Sequence, residues 1–480
     1  MQRSMHKIIL KKLPRSICSF VLLLAALFVL PVLNTACTAE RKPSVVSVES
    51  NVPDDSPAID PYLVYAYSEA ARIAASLDSR KLASQVIMAG VDGKGYLNRD
   101  MQALFDEYPT GGIMLFRFNL DTPTGEIQNF LAETTYLIAS RLAVRLRDFP
   151  RPERAPLIME TGALNADELW KGRIGEIWKE PVMEPGERRI MEICSSRVFG
   201  LRPFVAVDHE GGNVRRFRRG VADLPAASHY MASNDLPDTA IAKIEADNFR
   251  TGSILFDLGI NMNLAPVAEF LNAHNSEFLG SRSYSDDPVF TAAAAAACMR
   301  GMERAGLLCA VKHFPGSAGQ DPHLFSAAIH DSIDELDVLI SPFASLIGEG
   351  QVRALMVSHT LVPARDTEHI ASLSAAVMQG WLRDELGYTG LIICDDFTMA
   401  AGRQAVSGSA AVPAHVAAAV NSLIAGADMV MVWPHDIRRT HRAILAALDN
   451  GSLAIERLQE AAGRIVFEKI RMGLLDDRQE

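Results

Sequence analysis

Lys312 and His313 end a short apolar run (Leu307, Leu308, Ala310, Val311). They are followed by a Pro315-Gly316 break and a loop of small residues that carries Asp321 and His323. An ammonium and an imidazole side by side hold hydroxyl or carboxylate oxygens, and an imidazole beside a carboxylate is a proton donor that works near neutral pH. Two other apolar runs end in the same way. Phe204–Val207 leads into Asp208-His209-Glu210-Gly211-Gly212 with Arg216 beyond, and Leu391–Ile393 leads into Cys394-Asp395-Asp396. Asp208 accepts two hydroxyl hydrogens, or closes a loop by pairing with Arg216. Side chains alternate along a strand, so one of Asp395 and Asp396 faces an interior site while the other braces a loop. Asp395 shares a side with Ile393 and is the better candidate nucleophile. Arg282, in a Gly- and Ser-flanked loop, is a candidate ligand contact, whereas Asp286-Asp287-Pro288 reads as a helix start with an Asp cap.

The elements that position these residues alternate in type. Near-continuous apolar runs at 112–116, 204–207, 260–264, 308–311, 354–357, 391–393 and 429–432 read as strands buried on both faces. Ala-rich helical stretches at 291–305, 413–425 and 437–448 lie between or after them. The pattern predicts an α/β fold, a (β/α)8 TIM-type barrel forming a single catalytic domain over 62–475, with polar residues at strand ends as its site. A doubly wound open sheet is the alternative, but no Gly-rich nucleotide fingerprint follows an early strand. Residues 141–201, rich in Glu, Arg, Met and Trp, read as a charged helical insertion. A last helix over 455–472 stops at Gly473 and leaves 476–480 as a tail. No internal repeat is visible.

The chain has 480 residues, 49% of them hydrophobic, enough for a large core, and its formal charge of −11 argues against a nucleic-acid partner. The six cysteines show no C-x-x-C spacing, and neither His-x-His nor His-Glu-x-x-His occurs, so no metal and no cofactor is expected. Cys298, Cys309 and Cys394 sit in apolar runs and are expected to be buried. Arg3, His6, Lys7, Lys11, Lys12 and Arg15 precede the apolar run 19–33, which is short for a membrane span. Residues 1–37 therefore read as a signal peptide. The stretch Leu33-Asn34-Thr35-Ala36-Cys37 resembles a bacterial lipobox in which Cys37 is lipidated. Residues 38–61 read as a flexible tether. These features predict an extracytoplasmic, membrane-anchored bacterial lipoprotein, monomeric apart from its anchor.

Thr110–Arg117, Val205–Gly212, Leu279–Pro288, Lys312–Gly316 and Gly387–Met399 follow one another in the order of motifs in glycoside hydrolase family 3. The chain from about Lys81 onward resembles its bacterial β-N-acetylhexosaminidase branch. The resemblance implies a retaining glycosidase acting on a terminal N-acetylglucosamine. Asp395 would be the nucleophile and His323 the acid/base, with Asp321 as partner of His323. Asp208, Arg216, Arg282, Lys312 and His313 would bind substrate, with the cations keeping Asp395 ionised. The natural carbohydrate is left open between a muropeptide, a chitin oligosaccharide and a glycan. The chain departs from the family pattern at Ser317, where a His is usual, at Pro322 and Cys394, and in the short span from Gly316 to Asp321. Those departures keep two alternatives open, a non-catalytic sugar-binding lipoprotein and a family 3 β-glycosidase of different sugar specificity. His330 is the fallback proton donor.

Overall fold

The structure, a computed structural model, describes residues 61–145, 186, 189 and 198–477, apart from 218, 219, 222, 233–235, 320, 322, 323 and 409–411. The chain divides into Met1–Ala58, which lies outside the described residues together with Cys37, and Ile59–Glu480, to which everything below refers. In chain order the strands are β1 (Ile87–Gly90), β2 (Gly112–Leu115), β3 (Ala143–Arg145), β4 (Val198–Leu201), β5 (Phe204–Val207) and β6 (Met262–Asn263). They continue with β7 (Leu308–Phe314), β8 (Ala354–Val357), β9 (Leu391–Cys394), β10 (Val430–Val432) and β11 (Leu475–Asp477). Eight of them form one parallel sheet in the order β10-β1-β2-β5-β6-β7-β8-β9. An Ile393–Met429 bridge brings β9 and β10 together and closes the ring. This is the (β/α)8 barrel that the alternating pattern predicts. The strands are apolar on both faces because helices cover one side and the barrel interior the other.

The sequence reading misses β1. Its Ile-Met-Ala-Gly run is short, partly made of small residues, and directly follows the helix Ser79–Gln85, so periodicity gives it no contrast. β6 is shorter than the apolar run suggests, because side chains replace part of its ladder. Asn261 Oδ1 accepts from Val205 N at 2.7 Å, and Asn263 bonds both the N and the O of His209, at 2.9 and 3.0 Å. Asn263 thereby pins the strand end that carries Asp208 and Glu210. β7 is longer than expected and includes Lys312 and His313 at a register irregularity against β8. An interrupted ladder re-aims side chains, and both of these line the same cavity.

Helices α1 (Pro61–Ser76), α2 (Pro237–Asp257), α3 (Pro288–Arg304) and α4 (Ile455–Arg471) include those that matter below. Pro288 opens α3 and the Asp287 carboxylate accepts from Val289 N at 2.9 Å, as the sequence predicts. Cys298, Cys309 and Cys394 are buried thiols. α4 packs against α1, where Tyr62 Oη donates to Ile470 O at 3.2 Å, and sends Lys469 to the strand starts at Gln85. Gly473 ends this helix, but the chain does not trail off there. β11 pairs antiparallel with β4, which pairs antiparallel with β3, so the tail expected from 476 begins inside a strand. The described ends of the predicted insertion thus pair with each other in a small antiparallel sheet. Apart from Gly186 and Arg189, residues 146–197 lie outside the described residues. Among the described residues no helix is long and apolar enough to cross a membrane.

Candidate active site

A cavity of about 280 Å3 opens at the carboxyl ends of the strands. Met114, Met356 and Met431, from β2, β8 and β10, contribute to its apolar lining. One side is a cage of charge built from β5, the 280–282 turn and β7. Lys312 Nζ lies 2.9 Å from Asp208 Oδ1 and 2.6 Å from Glu210 Oε1, bridging the two carboxylates. Arg216 donates to the other oxygen of Asp208 at 2.5 Å. Arg282 grips Glu210 with two parallel bonds of 2.8 Å, the strong fork geometry of a guanidinium on a carboxylate. The tight turn after Asp208 requires glycine. Gly211 and Gly212 have φ of +99° and +54°, and a Cβ at either would come within 2.2 Å of Pro225 O or 2.6 Å of Ala226 Cβ.

Burial opposes ionisation of both carboxylates, but the adjacent cations prevail. Lys312 and Arg216 hold Asp208 well below the usual carboxylate range, and Lys312 and Arg282 hold Glu210 at about 2. Burial likewise opposes the charge on Lys312, and Asp208 and Glu210 outweigh it and raise its pKa. The cage therefore stays charged at neutral pH, with Lys312 only 3% exposed.

His313 is held from behind by Glu269. Glu269 Oε1 lies 2.7 Å from His313 Nδ1 and accepts from Ser317 Oγ at 3.0 Å, while Oε2 accepts from Ser317 N at 2.5 Å. A carboxylate on Nδ1 sets the tautomer in which Nδ1 carries the proton, leaving Nε2 toward Arg282 at 3.4 Å. Ser317, the departure from the family pattern, is thus a buried partner of Glu269. Ser358 and Thr360 fix the same turn by donating to Gly316 O at 3.1 and 2.9 Å.

Asp395 and Asp396 divide as strand alternation predicts. Asp395 lines the cavity and accepts the Asp396 N–H at 2.8 Å. The Asp396 carboxylate braces the loop, accepting from Thr398 Oγ1 and Trp433 Nε1, each at 2.8 Å. The sequence expects cations beside Asp395, but the ion pairs of Lys312, Arg216 and Arg282 go to Asp208 and Glu210. Behind Asp395 stands His359, whose Nε2 lies 3.1 Å from Asp396 O and whose Nδ1 lies 2.7 Å from Ser372 Oγ. Burial pushes the pKa of His359 down, and the ring is a neutral hydrogen-bonding brace.

All five residues expected to bind substrate, with Asp395, line the one cavity. Asp321 lies on the loop below Gly319, where its carbonyl accepts from Leu324 N and Phe325 N at 2.9 and 3.0 Å. His323 lies outside the described residues, and His330 is exposed. Sequence reasoning missed three site residues. Glu210 sits within a quoted motif but carries no assigned role. His359 follows β8 in Val357-Ser-His-Thr360, the same strand-then-polar signature that marks the other clusters. Glu269 is a lone acid at the end of the apolar run 264–268, a signal that is visible but weak.

The family profile described as Glycosyl hydrolase family 3 N terminal domain matches residues 173–467, more than half of the chain. The chain belongs to glycoside hydrolase family 3. This family 3 hydrolase is 35% identical over 242 residues to the Beta-hexosaminidase of Stenotrophomonas maltophilia (strain K279a), covering 49% of this chain and 69% of that one. It is 34% identical over 284 residues to the Beta-hexosaminidase of Pseudomonas aeruginosa (strain LESB58), covering 58% and 80%. Its structure resembles that of a glycoside hydrolase family 3 beta-N-acetylglucosaminidase from Paenibacillus sp. str. FPU-7, with a TM-score of 0.64 at 27% identity. That match covers 82% of this chain and 63%, under two thirds, of the Paenibacillus chain.

Proposed function

We propose that this family 3 hydrolase is an exo-acting, retaining β-N-acetylhexosaminidase that releases terminal β-linked N-acetylglucosamine. The observation that carries the reading is Asp395 on one side of a cavity whose other side is the Asp208–Lys312–Glu210–Arg282–His313 cage. A pyranose held by its hydroxyls in the cage presents its anomeric carbon to the carboxylate. The names of the relatives it resembles support the choice of sugar.

In the proposed reaction an Asp395 oxygen attacks C1 as the C1–O bond to the leaving group breaks. His323, partnered by Asp321, gives its proton to the departing oxygen. Water then attacks C1 of the glycosyl-enzyme, returns its proton to His323 and frees Asp395, so configuration is retained over two displacements. His323 enters this reading through the family motif. The basic and apolar N-terminus ending at Ala36-Cys37 supports export and lipid attachment. A monomeric enzyme outside the cytoplasm would meet peptidoglycan fragments, chitin oligosaccharides or glycans.

A fluorinated N-acetylglucosaminyl fluoride that slows breakdown of the intermediate should leave a label on the peptide bearing Asp395. Azide should rescue Asp395→Gly to the α-glycosyl azide and His323→Ala to the β-azide. A label on another residue, or no covalent adduct under turnover, would remove Asp395 from the nucleophile role.

A further inference from the structure

The loop that carries Asp321 and His323 starts at Ser317 and returns to the core at Ile329, which is buried and donates its N–H to Leu361 O at 2.9 Å. One short segment after β6, Glu269–Asn275, touches both limbs of this loop. The segment follows a stretch tied to β7, where Lys312 N donates to Pro266 O at 3.0 Å and Ala268 N to Lys312 O at 2.8 Å. On the outgoing limb Glu269 holds Ser317, and a Cβ at Gly319 would come within 3.0 Å of His274 O. On the returning limb His274 Nε2 lies 3.0 Å from Asp331 Oδ1. Asp331 directly precedes Ser332, whose capping box with Glu335 starts the helix Ile333–Leu339. The turn that presents His274 is itself fixed. Asn275 is fully buried, accepts from Asn272 N at 3.0 Å and donates to Phe270 O at 3.0 Å, and Asn272 Oδ1 accepts from His274 N at 2.8 Å. Asn side chains that bond nearby backbone groups hold such turns in one shape.

We propose that His274 is a positioning residue for proton transfer. With its imidazole on Asp331 and its carbonyl against Gly319, it sets the spacing of the two limbs from which the proton donor reaches the leaving-group oxygen. The inference rests on the reading of His323 as the acid/base. Spacing matters because the outgoing limb is short, with four residues between Gly316 and Asp321, and because Pro322 fixes one torsion beside His323. Such a loop has little slack, so a shift of either limb is passed on to the donor. A general acid works only within hydrogen-bond reach of the atom it protonates, and a misplacement of about 1 Å costs up to about a hundredfold. Neither His274 nor Asp331 lines the cavity, so their pairing bears on the substrate only through the loop. A pair whose imidazole is 42% exposed adds little to overall stability, so its loss should leave the barrel folded.

The test compares two aryl β-N-acetylglucosaminides with the full-length enzyme. A 2,4-dinitrophenolate departs without a proton, whereas 4-methoxyphenol needs one as it leaves. In His274→Ala and in Asp331→Ala the ratio of kcat/KM for the methoxyphenyl to that for the dinitrophenyl substrate should fall about tenfold. Turnover of the dinitrophenyl substrate should stay within about threefold of wild type, which also reports that the site is folded. The double variant should match either single one, at about tenfold rather than about a hundredfold, because the two residues act as one pair. Unchanged ratios in both single variants would overturn the proposal. So would equal losses on the two substrates, which mark general damage, or a double variant whose loss is the product of the singles. If His323→Ala itself leaves the ratio unchanged, the reading of His323 as the acid/base falls instead.

Discussion

Lys469 offers a sharp test of how this barrel tolerates buried charge. It is 0% exposed, its Nζ donates to the neutral Gln85 Oε1 at 2.9 Å, and it lies 5.5 Å from the Phe204 ring centroid. Burial alone pushes its pKa from 10.5 down to about 7. The folded value is thus below the unfolded one for a cationic acid. Between pH 7 and 10.5 the unfolded chain binds a proton that the native state refuses, and stability must rise with pH across that window. With these two values the destabilisation from Lys469 is about 4 kcal/mol at pH 7 and about 2 kcal/mol at pH 9. Lys469→Met removes the charge at nearly constant volume. It also leaves Gln85 Oε1 unpaired, at a cost of about 1–3 kcal/mol that does not depend on pH. The gain of the variant over wild type should therefore be about 2 kcal/mol larger at pH 7 than at pH 9, whatever the constant term. For a chain of 480 residues this is about 2 °C in Tm. Calorimetric Tm differences between variant and wild type at the two pH values measure it. An offset that stays the same at both pH values would refute the buried, uncompensated ammonium.

Other expectations follow from the site. Glu269→Ala should cut kcat/KM by about tenfold to a hundredfold, because His313 Nδ1 and Ser317 N lose their shared acceptor. Glu269→Gln, which still accepts, should retain more activity, and equal losses in both would remove the positioning role. Glu210 has a folded pKa of about 2, below its ordinary 4.5, so its ion pairs stabilise fully above pH 4.5 and are lost as pH falls through about 2. Glu210→Gln should accordingly show a smaller fall in Tm over that acid range than wild type. Cys37→Ser should release the protein from the membrane fraction if Cys37 carries the lipid.

Much of this site was legible because a barrel puts its chemistry where apolar strands end. Asp208, Lys312, His313 and Asp395 each follow an uninterrupted hydrophobic run, and alternation alone separates Asp395 from Asp396. Glu269 and His359 were harder to see. Their importance lies in contacts to residues 44 and 37 positions away in the chain, which no local pattern encodes. β1 escaped for a different reason. Four residues beside a helix carry too little period to stand out, and only pairing with β2 and β10 makes them a strand.

Fold class, the positions of most strand ends and the residue types gathered there follow from local sequence, because burial on both faces and turn chemistry are written locally. Tertiary structure alone decided how those charges pair. Lys312 bridges Asp208 and Glu210 rather than pairing with Asp395, since the carboxylates that follow β5 meet the β7 ammonium at ion-pair distance once β6 brings the two strands to either side of it. Closure also brings Phe116 and Trp433, more than three hundred residues apart, into one stacked wall beside Asp395.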